Sequence, residues 1–318
     1  MRPALRLWLR RLAPWVVTAA VLAAILYKYP IDRIYAELEQ GDPLAVAPFA
    51  VLLPLCHLVV QAIWDRWIIN AGTQSHLSYF QVVRGRAGTA VLLALGFAFS
   101  SGGYGLWIAR RTGADVRTTL SVVVYGMMST LIAICLIAGA AVWIGGVHLE
   151  ADAQRTIGVI APAVAGALVI LALIAPLLLV RRRNDARTLG AWARVGPGLF
   201  TVNLLGRCLD VALIVGYTWL AARAFGLSLP LAVAASYVPI ILFVGSLPIN
   251  VAGFGAVQGA WLMFTPWAPG ERILAFQFVW HLMLSVVIVL RGAPFMRGVL
   301  REIAEGAKAV EGTERAGV

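Results

Sequence analysis

Arg207 and Asp210 stand three positions apart inside an apolar run, the costliest pairing of residue types in this 318-residue chain. At bilayer depth an ionised side chain costs about 2.5–3.5 kcal/mol on insertion scales, and such residues mark substrate pathways and relays. The spacing puts both on one helical face within reach of each other, and Asn203, one turn earlier, extends the stripe. The guanidinium there would contact a phosphate while Asp210 orients it or exchanges a proton; the alternative is an ion pair that only closes a bundle. A second set, Asn250, Gly253, Gly255 and Gln258, surrounds the interruption Pro248-Ile249-Asn250-Val251-Ala252-Gly253-Phe254-Gly255. A half-helix starting near Gly255 presents free N–H groups and a positive dipole end to an anion. Alternatively the two amides satisfy backbone exposed by the break. Ser100, Ser101, Gly103 and Gly105 form the matching set in the first half, with Arg110 and Arg111 as a cytoplasmic gate.

Long apolar elements must position these groups. The chain is 61% hydrophobic and 13% charged, with a mean hydropathy of +0.85, which excludes an ordinary soluble domain. Runs of the roughly 20 residues needed to cross hydrocarbon lie at Leu12 to Tyr27, Leu44 to Ile63, Leu120 to Ile144, Ile157 to Val180, Leu199 to Ala222 and Ile273 to Leu290. The expected fold is an all-α polytopic membrane protein with about six full spans. Residues 1–301 form one transmembrane domain and 302–318 a short flexible cytoplasmic tail. The net charge of +11 does not point to nucleic acid, because arginines cluster at the ends of apolar runs, as in Arg10-Arg11, Arg110-Arg111 and Arg181-Arg182-Arg183. That is the distribution of cytoplasmic loops, and it also attracts anionic headgroups. The basic N-terminal stretch and its apolar run read as an uncleaved anchor.

Loop charge also decides whether the two glycine-rich runs cross. If both turn back, eight basic residues (Arg110, Arg111, Arg117, Arg181, Arg182, Arg183, Arg187 and Arg194) lie inside against three outside (Arg155, Arg223 and Arg272); if both cross, the totals become two and nine. The positive-inside rule selects two re-entrant hairpins, one entering from each face, with both termini cytoplasmic. Gly103-Tyr104-Gly105 and Gly253-Phe254-Gly255 then pair as the breaks of inverted halves, 44–144 and 199–290, linked by the span at 157–180. Paired broken segments of this kind point to a transporter whose site lies where they meet. The competing explanation is that the glycines only allow close helix packing.

The segment Pro248 to Gly259 resembles the Pro-x-x-x-Gly-Gly-x-Gly-x-Arg-Glu-Gly stretch of the lysylphosphatidylglycerol synthase transmembrane region, the flippase-like membrane family. Trp64-Asp65-Arg66-Trp67 ending a span, Leu77-Ser78-Tyr79-Phe80 in the following loop, and Gly102-Gly103 before Arg110-Arg111-Thr112-Gly113 agree with it, so the resemblance covers roughly Leu44 to Arg301. It implies a multi-pass inner (cytoplasmic) membrane protein that moves an anionic phospholipid or a polyprenyl or isoprenoid lipid between leaflets. Its partners would be membrane lipids and enzymes of lipid or glycan synthesis. The chain departs from the pattern at Ala252, Val257 and Gln258, the last two replacing Arg and Glu. Without a soluble aminoacyl-transferase domain, lipid aminoacylation is not expected.

No metal or cofactor is expected. The zinc-protease, nucleophile-elbow, phosphate-loop and paired-aspartate motifs are absent from the sequence, which favours a transporter over two alternatives, a membrane-embedded lipid or glycan transferase and a lipid-binding scaffold. Cys56, Cys135 and Cys208 lie in apolar runs, as buried thiols. His57 and His281 stand alone in apolar runs and read as hydrogen-bonded packing residues, with a proton relay as the alternative. Trp64, Trp67, Trp107, Trp143, Trp261 and Trp267 read as headgroup-level anchors. Oligomeric state is not encoded in any of these features.

Overall fold

Backbone amides find no partner in hydrocarbon, so a chain this apolar must satisfy them inside helices. The computed structural model describes residues 3–145, 154–179, 186–247, 250 and 254–316. Its helices are α1 (Pro3–Lys28), α2 (Ile31–Gln40), α3 (Pro43–Thr73), α4 (Tyr79–Ala90), α5 (Phe97–Thr112), α6 (Val116–Ile144), α7 (Ala161–Leu179, preceded by a π turn at Thr156–Ile160), α8 (Ala186–Ala224), α9 (Leu231–Ser246), α10 (Ala256–Trp261) and α11 (Gly270–Ala316). Among the described residues four helices are long and apolar enough to cross a membrane: α3, α6, Ala191–Ala224 of α8 and Gly270–Glu305 of α11, with mean hydropathies between 1.7 and 2.3. The six expected runs fall on helices, apart from Val180, outside the described residues; α1 and α7 contribute shorter apolar segments, Thr18–Lys28 and Thr156–Ala172. The chain is a multi-pass helical membrane protein.

Local chemistry sets the helix ends. Asp42 caps α3 by accepting from the Ala45 N–H at 3.0 Å, with Pro43 in the first turn where its missing N–H costs nothing. Ser78 and Gln81 form a reciprocal capping box at α4. Between α4 and α5 a 3₁₀ turn (Val91–Leu95) runs into Gly96, whose φ of 127° and ψ of 159° suit glycine almost alone. Gly255, before α10, has φ 118° and ψ −118°. The two halves therefore share one order of elements: a long apolar helix, two shorter helices divided at a positive-φ glycine, and a second long apolar helix.

The first interruption lies elsewhere than expected. Ser100 to Gly105 sit within the continuous helix α5, and the chain breaks at Gly96, not at Gly103. Gly103 and Gly105 serve close packing: a Cβ would meet Leu92 Cδ1 at 2.7 Å on Gly103 and Leu120 Cδ2 at 2.9 Å on Gly105. Tertiary contact offsets the roughly 1 kcal/mol that glycine costs in a helix.

Helices α3 and α8 run antiparallel through the centre. Arg194 donates from Nε (3.0 Å) and Nη2 (2.6 Å) to the Gly72 carbonyl at one end, and Cys56 Sγ meets Tyr217 Oη at 3.6 Å toward the other. Trp64 covers Gly206 so closely that a Cβ would overlap the indole. Trp192, beside Arg194, donates to the Ser121 carbonyl at 2.9 Å. The end of α3, the start of α6 and the start of α8 thus adjoin, and the α4–α5 pair leaves from and returns to that end. At the other end Phe225, just past α8, packs at a tilt against Phe276 of α11, ring centroids 5.7 Å apart, and lies against Gly41 before α3. The α9–α10 pair begins and finishes there.

Helix α11 continues to Ala316, through the segment expected to be a flexible tail. Glu302 accepts from Arg84 Nη2 at 2.6 Å and from Trp107 Nε1 at 2.9 Å, tying α11 to α4 and α5.

Candidate functional site

Asp65, on α3, is the hub. One carboxylate oxygen accepts from Arg207 Nη2 of α8 at 2.5 Å; the other accepts from Arg86 Nε of α4 at 2.6 Å and from the Tyr104 hydroxyl of α5 at 3.2 Å. The Arg86 guanidinium lies over the Tyr104 ring, 4.8 Å from its centroid, and Tyr104 stacks on Trp107 at 5.9 Å. Four helices, including both arms of the first broken pair, therefore meet on one carboxylate. A buried carboxylate is tolerated because charge-assisted hydrogen bonds occupy both oxygens. Asp65 and Arg207 are almost wholly enclosed, whereas the Arg86 side chain remains 31% exposed.

The expected Arg207–Asp210 ion pair does not form; each residue reaches across to α3 instead. Asp210 lies with Oδ1 2.7 Å from His57 Nδ1, and its Oδ2 accepts from Gln61 Nε2 at 3.1 Å. A spacing of three aligns the side chains along a face, and antiparallel α3 offers partners at matching depth: His57, Gln61 and Asp65, four residues apart, meet Asp210 and Arg207 in reverse order. His57 is accordingly a bonded member of the stripe. His281 packs edge-on against the Phe254 ring at 4.7 Å.

Positive charge is in excess. Arg291 of α11 donates to the Pro54 carbonyl of α3 and has no carboxylate on it among the described residues, while the charge of Arg86 acts upon it. Arg86 and Arg207 thus share one carboxylate, Asp65, and Arg291 adds a further guanidinium within the field of Arg86. Nearby polar atoms also lack protein partners: both amide atoms of Asn203, Arg207 Nε and Arg291 Nε are enclosed and unbonded among the described residues. Leaving such groups unpaired costs about 1–3 kcal/mol each, so the cluster has hydrogen-bonding capacity for a polar or anionic group.

The second break is organised differently. Asn250 donates to the Val244 carbonyl at 2.6 Å and accepts from the Val257 N–H at 3.3 Å, joining the end of α9 to the start of α10. Gln258 accepts from the Gly255 N–H at 2.6 Å, and its buried Nε2 has no partner among the described residues. The amides thus occupy N–H groups expected to face an anion, and α10 is six residues long. Gly253, with Pro248, Ile249, Val251 and Ala252, lies outside the described residues.

Other expected site residues are not drawn to Asp65. Ser100 donates to the Thr89 carbonyl at 3.2 Å, closing the first break on itself, and Ser101 stands half-buried on α5. Arg110 and Arg111 are exposed in the last turn of α5, where cations complement the helix dipole. Trp107 and Trp261 are core residues, at 1% and 4% exposure, and not headgroup anchors. Cys56, Cys135 and Cys208 are half-buried free thiols.

Asp65, Arg86, Tyr104 and Arg291 escaped prediction. The signal for Asp65 was present as the polar series His57, Gln61, Asp65 in an otherwise apolar run. It was masked because Trp64-Asp65-Arg66-Trp67 reads as a span end, whereas α3 continues to Thr73.

No curated protein matches the chain. The sequence model of the family described as "Lysylphosphatidylglycerol synthase TM region" matches residues 11–292, nearly the whole chain and all four long apolar helices apart from the end of α11. The chain belongs to the lysylphosphatidylglycerol synthase transmembrane-region family, a membrane family related to lipid modification or flipping.

Proposed function

We propose that this protein is a flippase-like transporter of the inner membrane, moving the headgroup of an anionic phospholipid or polyprenyl-type lipid between leaflets while its hydrocarbon chains stay in the bilayer. The observation that carries this reading is the cationic cluster Arg86–Asp65–Arg207 with Arg291, built at the depth of apolar helices and reached through the partly exposed Arg86. An anionic headgroup supplies the missing negative charge and the acceptors for unpaired guanidinium nitrogens. Two broken helix pairs at opposite ends of the bundle support an inverted repeat of re-entrant hairpins, the arrangement that lets a polar group be reached from either side. Arg110 and Arg111 would hold the cytoplasmic mouth, and Asn250, Gly255 and Gln258 the rim of the second hairpin. Loop charge supports cytoplasmic termini.

The test is reconstitution of the purified chain in vesicles carrying fluorescent phosphatidylglycerol or polyprenyl phosphate. Protein-dependent exchange between leaflets, lost in Arg86→Gln, supports the proposal. Folded protein that moves neither lipid contradicts it.

A further inference from the structure

Resting on that reading, we infer that His57 and Asp210 form a proton site coupled to the headgroup site, so that each lipid crosses together with a proton. His57 Nδ1 lies 2.7 Å from Asp210 Oδ1 in the apolar interior; the carboxylate is 2% exposed, while the imidazole keeps 27% of its surface open. Asp210 thus holds one ring nitrogen inside while part of the imidazole stays exposed. Imidazole can donate from one ring nitrogen and accept at the other, the chemistry of a proton shuttle.

Asp210 contacts it directly, and other polar and charged groups stand on the helices around it. Helix α3 contributes Cys56, Gln61 and Asp65; α8 contributes Arg207, Asp210 and Tyr217; α4 contributes Arg86; and α11 contributes Arg291. Helix α6 brings Gly126 against the Arg207 guanidinium and has no charged residue beyond Arg117. The arginines keep their protons, ordinary thiols and phenols titrate above neutrality, and both carboxylates are engaged by donors. The imidazole is the member of the cluster that can take a proton at one ring nitrogen while the other stays bonded.

Charge gives the coupling its sign. Arg86 and Arg207 share the single charge of Asp65, and Arg291 stands within the field of Arg86, so cations outnumber that carboxylate before His57 is protonated. Protonation adds a like charge, and an anionic headgroup beside Arg86 and Arg207 removes that penalty. Proton and headgroup therefore bind cooperatively, each raising the affinity of the other by the same factor. The proton is taken from water onto the imidazole, with Asp210 holding the opposite nitrogen, and is released to water on the far side. One N–H bond forms and breaks, and no oxidant or other reactant is consumed. Lipid is carried from the acidic side to the alkaline side.

The experiment uses the full chain in phosphatidylcholine vesicles containing trace fluorescent phosphatidylglycerol or, separately, fluorescent polyprenyl phosphate. A gradient of about one pH unit, acidic outside, is imposed and the leaflet distribution is read by chemical quenching. One proton per lipid supports an inner-leaflet excess of up to about tenfold. The excess should reverse with the gradient, vanish with a protonophore, and be absent in protein-free vesicles and in His57→Gln. Protein-dependent movement that ignores the gradient, or a bias that survives in His57→Gln, overturns proton coupling and leaves the transport reading standing. No protein-dependent movement of either probe overturns both. The wild-type arm does not depend on a variant folding.

Discussion

Arg207 and Asp65 meet at 2.5 Å between α8 and α3, and Asp65 is shared at 2.6 Å with Arg86 of the first broken helix pair. Through this one carboxylate the interrupted segment is anchored to the two central helices. The same contacts lower the cost of burying these charges.

Asp65→Asn leaves Arg86 and Arg207 without their shared counterion. Breaking a buried pair from one side costs about 3–5 kcal/mol, so a large loss of thermal stability in detergent is expected. Replacing the pair together, as Asp65→Leu with Arg207→Met, should destabilise less than Asp65→Asn. Equal melting of wild type and Asp65→Asn would show that the carboxylate is not the hub.

Gly96→Ala and Gly255→Ala place a Cβ on backbone that other residues rarely adopt, at a cost of about 1–3 kcal/mol each. Gly103→Ala has ordinary helical backbone and meets the movable end of Leu92, so it should be the mildest of the three. Unfolding measurements that rank Gly103→Ala as the most damaging would move the break back to the Ser100–Gly105 stretch.

Asn250→Ala removes the side chain that joins the Val244 carbonyl to the Val257 N–H across the second break. Buried polar groups left unpaired cost about 1–3 kcal/mol. Amide hydrogen exchange should rise around residues 254–261 and stay unchanged in α3. Unaltered exchange at the break would mean that Asn250 does not staple it.

Glu302→Gln weakens the contacts to Arg84 and Trp107 that hold the late part of α11 against α4 and α5. Protease cleavage after Arg301 should accelerate several-fold, since local opening tracks the stability of the contacts that close it. An unchanged cleavage rate would return this segment to the flexible tail that its polarity suggests.

Composition and period made the helical membrane class legible, together with the long spans, because burial in lipid imposes length and apolarity residue by residue. Arg207, Asp210 and Asn203 were legible as one stripe because an α-helix fixes which residues share a face. Their partners were not, because pairing depends on how α3 lies against α8, and a spacing of three looks self-sufficient when read within one helix. The first break was misread for a related reason. A cluster of glycines signals weak helix propensity, yet neighbouring side chains fill the space above Gly103 and Gly105, while the isolated Gly96 carries the turn. At the second break the amides were found, but the backbone N–H groups they cap were expected to stand free.

Single cysteines at His76, Arg111, Ser228 and Pro269, in a background lacking Cys56, Cys135 and Cys208, test the central arrangement through labelling by a membrane-impermeant maleimide. His76→Cys and Arg111→Cys bracket the first broken pair; Ser228→Cys and Pro269→Cys bracket the second. The account predicts that the first two label from the cytoplasmic face and the last two from the opposite face. Labelling of Arg111→Cys from the face opposite His76→Cys would mean that the first pair crosses the membrane, and the paired-hairpin site would be contradicted.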